Sequence, residues 1–121
     1  MFYVLWHDDP TWLLTADQFS DLLRRAWPGD LCVTDESGTG STMSIVWTYR
    51  MDAQMLFGKS RVPLPEIYLD GSERLVAAFV AWYRTIVPDN VSLRLLDEGY
   101  TFDSLVAAGS TVDEVVRILR A

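Results

Sequence analysis

Apolar residues recur along this chain with two periods, two and about 3.6, and the switches between them divide it into strands and helices. Residues 2–7 read as a strand with Phe2, Val4 and Trp6 on one side and Tyr3 and Leu5 on the other. Apolar residues on both sides predict a strand covered on both faces. Residues 31–35 form a second strand. The clearest alternation is at 43–50, where Met43, Ile45, Trp47 and Tyr49 share a face and Ser44, Thr48 and Arg50 take the other, with Val46 as the exception. Residues 54–58 pair back as a further strand. Pro63 and Pro65 demote the stretch after them to an extended edge or a loop, with a short strand at Glu66–Leu69 leading into a helix as the other reading. Residues 92–96 and 100–106 read as two strands around an Asp97-Glu98-Gly99 turn.

Three stretches carry the helical period. In 16–27, Ala16, Phe19, Leu22, Leu23 and Ala26 form a stripe, Thr15 and Gln18 have capping-box spacing, and Pro28-Gly29 ends the segment. Asp17 and Asp21 lie early and Arg24 and Arg25 late, in keeping with the helix dipole. In 72–87, apolar residues from Leu75 to Val87 wrap most of the circumference, and only Glu73, Arg74, Arg84 and Thr85 interrupt them. Such a helix is buried on more than one side or meets a second chain, so a homodimer through helix 72–87 is expected as one use of it. Asp70 with Glu73 has capping-box spacing at its start. Thr111 with Glu114 opens a short last helix striped by Val112, Val115, Val116 and Leu119.

Strands cluster in hairpins between the helices. That order predicts one α+β domain over residues 1–121, with an antiparallel-rich mixed sheet of about five to six strands and three helices. No repeat or dividing linker interrupts it.

Half of the 121 residues are hydrophobic and 12% are aromatic, enough for one core and too many for a disordered chain. The net charge of −7 disfavours nucleic acid and anionic membrane surfaces and steers the chain toward a basic partner. Nine of the ten basic residues are Arg, and Lys59 is the exception. Cys32 is the single cysteine, which excludes an internal disulfide and fits a reducing compartment. The apolar start is five residues long and runs into His7-Asp8-Asp9, unlike a signal peptide, and no run approaches the ~20 apolar residues of a membrane span. A cytoplasmic protein is expected.

Candidate chemistry is sparse. His7 adjoins Asp8, but strand neighbours point to opposite faces, so a solvated strand end is the preferred reading. A Cys32 nucleophile with His7 as base needs the two on neighbouring sheet positions; a core role for Cys32 is preferred. Gly38-Thr39-Gly40-Ser41-Thr42 lacks the ending of a phosphate loop and reads as a hairpin turn. No calcium loop or paired-histidine motif is present, and neither metal nor cofactor is expected.

The acids offer more. Asp8/Asp9, Asp35/Glu36 and Asp97/Glu98 all fall at or near strand ends. On one edge they would form an acidic surface able to stand in for phosphate in the basic cleft of a nuclease. Trp12 is expected to staple the first helix, with an exposed contact residue as the other reading. The expected partner contacts are Asp8, Asp9, Trp12, Asp97, Glu98 and Tyr100.

Leu69-Asp70-Gly71, Ala81-Trp82-Tyr83-Arg84 with Val87-Pro88, and Asp97-Glu98-Gly99-Tyr100 together resemble small bacterial toxin-immunity proteins. The resemblance implies a cytoplasmic inhibitor, an antitoxin rather than an enzyme, that covers a cognate toxin domain. It carries over no binding residue. Residues 16–121 also resemble acidic type III secretion chaperones in element order: helix, three strands, helix, two strands, helix. That alternative implies a dimer through the middle helix that holds an extended segment of an effector. The strand at 2–7 departs from the chaperone order.

Overall fold

Thr15 and Thr111 cap the first and last helices as their spacing predicts. The computed structural model describes residues 2–7, 9, 11–36, 45–61, 66–99 and 101–120. In chain order its elements are β1 (Tyr3–Trp6), α1 (Ala16–Ala26), β2 (Asp30–Asp35), β3 (Ile45–Met51), β4 (Gln54–Ser60), β5 (Glu66–Gly71), α2 (Glu73–Ile86), β6 (Leu93–Asp97), β7 (Asp103–Val106) and α3 (Val112–Leu119). Both threonine caps close full capping boxes, with Gln18 and Glu114. The start of α2 departs from expectation. Ser72, not Asp70, is its cap and accepts from the Leu75 N–H at 3.3 Å, while Asp70 is still in β5.

The α+β class holds, with three helices and one sheet among the described residues. The sheet has seven strands rather than five to six, and every described pairing is antiparallel, in the order β2-β3-β4-β5-β1-β6-β7. The extra count comes from β5, which the prolines before it led us to expect as a short edge piece. It runs six residues and lies inside the sheet between β4 and β1. The expected strand 100–106 begins only at Asp103. The proposed turn at 38–42, Met43, Ser44, Pro63 and Pro65 lie outside the described residues.

Alternation assigns the two faces of the sheet. Leu5, Ile45, Trp47, Tyr49, Leu56, Ile67, Leu69, Leu93, Leu95 and Val106 point to one face and are buried there beneath the helices. α2 is the centre of the helix layer. Phe79 stacks on Trp47 of β3 at 5.4 Å, and on the α1 side Trp27 and Phe19 meet Phe79 and Tyr83 at 5.9 and 6.4 Å. On the other side α3 packs along α2, with the ion pairs Arg74–Asp113 and Arg120–Glu73, both 2.8 Å, at the rim. The apolar circumference of α2 is thus covered within the chain by the sheet, α1 and α3. The pattern from which a dimer through helix 72–87 was read has an internal cause.

Arg84 looked like a break in the apolar surface of α2, yet it is buried. Its guanidinium donates to the carbonyls of Val87, Pro88, Val91 and Val106, at 2.6 to 3.4 Å. It satisfies carbonyls left open at the C-terminal end of α2 and ties that end to β7.

Candidate binding face on the open side of the sheet

No described helix covers the second face of the sheet. β1 was expected to be covered on both faces, but only Leu5 is buried, while Val4 and Trp6 are half-exposed on the open side. Their neighbours follow from the register. Trp6 lies between Glu66 of β5 and Arg94 of β6, and Val4 lies between Tyr68 and Leu96. With Asp103 of β7 these residues line a groove of about 660 Å³. Its floor is apolar and aromatic. Its polar groups are held in place: the Tyr68 hydroxyl donates to Glu66 at 2.8 Å, and Arg94 pairs with Asp103 at 2.8 Å. Lys59 of β4 continues the face, with its ammonium 5.3 Å from the centre of the Phe2 ring and 5.9 Å from that of Tyr68. Leu105, 59% exposed, extends the apolar surface onto β7.

The strand positions of this face carry Asp30, Glu66, Asp70 and Asp103 against Arg50, Lys59 and Arg94. The face is therefore close to neutral in a chain whose net charge is −7. The excess of acid lies on turns and strand ends, because the helices carry as many arginines as acids. Long-range charge and short-range contact are divided between different parts of the molecule.

The described ones among the expected contact residues, Asp9, Trp12, Asp97 and Glu98, do not come together. Asp8 and Tyr100 lie outside the described residues. Asp9 follows the end of β1, whereas Asp97 pairs with Tyr3 at its start, so those two acidic turns lie at opposite ends of the sheet. Asp35/Glu36 share the Asp9 end but sit four strands away, roughly 19 Å at the usual strand spacing. The described members of the three pairs form no single acidic edge. Asp97 is also closed off, 2% exposed, because its carboxylate accepts from the Thr101 N–H at 2.7 Å and from the Thr101 hydroxyl. Those bonds hold its carboxyl below its ordinary value. Thr11 does the same for Asp9 through two bonds of 2.8 and 2.5 Å. Glu98 is exposed, but its carboxylate and backbone N–H bond the N–H and carbonyl of Phe2, which fixes the start of β1. Trp12 neither staples α1 nor stands free. Its ring packs 5.2 Å from His7 and 6.5 Å from Tyr83, which plugs the gap between β1 and α2.

The two lone reactive side chains are exchanged relative to expectation. His7 is buried on the helix side at 2% exposure, and Cys32 is exposed on the open side of β2. They lie on different faces, four strands apart, and form no nucleophile–base pair. Burial also pushes the phenol of Tyr83 well above its ordinary value. Among the described residues no three metal-ligating side chains gather. Among the same residues no helix is long and apolar enough to cross a membrane.

The one signal of this face in the sequence is the run of apolar residues on both sides of β1. It required the position of the helices to be read correctly. No protein-family model, curated protein or solved structure matches the chain.

Proposed function

We propose that this protein acts by binding another protein through the open face of its sheet, and that the partner is a bacterial toxin domain whose active site it covers. The supporting observation is the uncovered stripe of Trp6, Val4, Tyr68 and Leu96 at the centre of the sheet, bordered by fixed charges. Aromatic anchors ringed by polar groups are the usual composition of a binding centre. A buried domain core has no need of such a stripe on its outer side. Occlusion is then mainly steric. The charge of −7 draws in a partner with a basic cleft, such as a nuclease, before the near-neutral face makes contact. The protein would act in the cytoplasm, where an exposed thiol such as that of Cys32 stays reduced.

The test is calorimetric titration against the protein encoded immediately upstream, with growth rescue scored in parallel. Tight one-to-one binding to a toxin domain with rescue is the expected result. Trp6→Ala and Tyr68→Ala should each weaken binding by about 2 kcal/mol, roughly thirtyfold. Binding that ignores both substitutions would place the contact elsewhere. Absence of binding and rescue would remove the toxin reading.

A further inference from the structure

The charges on the open face have a symmetry that its exposure alone does not require. Trp6 is flanked in the same register by Glu66 on one side and Arg94 on the other. One step along β1, Val4 is flanked by Tyr68 and Leu96, and beyond these stand Lys59 on β4 and Asp103 on β7. Residues at equal distance on the two sides of β1 are thus opposite in charge at two successive levels, while at the third, level with Phe2, Asp70 and Glu98 are alike. Two such faces related by a two-fold axis along β1 would place β5 of one copy over β6 of the other. Trp6 then meets its own counterpart, Glu66 meets Arg94, and Tyr68 meets Leu96. Lys59 approaches Asp103 further out, where the usual ~30° crossing of packed sheets shifts the register.

We infer that the free protein pairs with a second copy of itself, open face to open face, about a two-fold axis along β1. The alternative axis, across the strands through Val4, is disfavoured by the same residues. It would set Glu66 against Asp70, Lys59 against Lys59 and Asp103 against Asp103, and would match opposite charges only at Arg94 with Glu98. The pairing is weak. The five strands from β4 to β7 span roughly 19 Å, so the footprint falls below the ~800 Å² per partner of a standard stable complex. A dissociation constant of roughly micromolar or weaker is expected. The self-pairing stands on this charge pattern alone. Only its role as a competitor that masks the face until the partner arrives rests on the proposed function.

Sedimentation velocity of the chain alone, across micromolar to millimolar concentration, tests the pairing. The native protein should shift from monomer to dimer. E66R leaves two cations beside Trp6, and R94E leaves two carboxylates. Each should raise the dissociation constant about tenfold or more. A mixture of the two variants should associate again, as should the double variant E66R/R94E, and this recovery excludes simple misfolding. A native chain that stays monomeric throughout, or single variants that fail to recover on mixing, would overturn the inference. The toxin partner takes no part in these measurements, so failure here leaves that reading to its own test.

Discussion

At the scale of single residues, Gly58 on β4 faces Trp47 on β3 and has no side chain because the indole occupies that space. A Cβ there would come 2.2 Å from the ring. Gly58→Ala should therefore lower unfolding stability by about 1–3 kcal/mol, read from the urea midpoint, as the core repacks around Trp47. Gly71 is held by a second close approach, since its φ of +133° and a 2.1 Å clash with the Met55 carbonyl exclude a side chain. Asp97 makes a separate prediction. Its carboxyl lies below the ordinary value mainly because the Thr101 hydroxyl bonds the charged form. A depressed folded pKa gives stability that is complete above the unfolded value of about 3.9 and lost as pH falls through the folded one. Thr101→Val should move the Asp97 titration upward in carbonyl NMR and make acid unfolding begin at higher pH. Neither contact was legible beforehand: Gly58 and Trp47 are 11 positions apart and meet only through the β3–β4 register.

At the scale of elements, the two faces of β1 make opposite demands. Leu5, 1% exposed, faces the helices, and Trp6 beside it faces the open side. Leu5→Ala should cost 2–5 kcal/mol of stability. Trp6→Ala should cost roughly 1 kcal/mol, the span of strand preference, although the residue removed is larger. Comparable losses at both positions in denaturant melts would mean that the second face is covered. The helix caps are local and were visible in the spacing of Thr15 with Gln18 and Thr111 with Glu114. Thr111→Ala should cost about 1 kcal/mol, while removing the exposed Arg74–Asp113 pair should cost under about 0.5 kcal/mol. For α2 the same rule pointed two residues early, to Asp70. β5 continues through Gly71, and its pairing with β4 holds Asp70 opposite Phe57.

At the scale of the whole molecule, charge and contact surface are separated. The net charge of −7 comes from turns and strand ends, since the acids of the helices are matched by their own arginines, and the open face is nearly neutral. If a basic partner binds that face, raising the salt should slow association by about tenfold or more and leave dissociation nearly unchanged. Stopped-flow rates over a salt series would separate the two effects. A salt-sensitive dissociation rate would place the acids inside the contact.

The chain's own pattern determined the class of fold, the three helices with two of their caps, and most strands with the face each residue takes. These depend on periodicity and on neighbours within about four positions, and such interactions form wherever the segment goes. Only the tertiary structure decided the strand order, and with it where each candidate side chain stands. Antiparallel pairing of β1 with β6 sent Asp9 and Asp97 to opposite ends, although both lie at strand ends in the sequence. Docking of all three helices on one side buried His7 and Arg84, exposed Cys32, and left Trp6 uncovered. Alternation states that two faces exist and which residues share each of them. Which face stays bare depends on where distant helices pack, and that is set by contacts summed over the whole core.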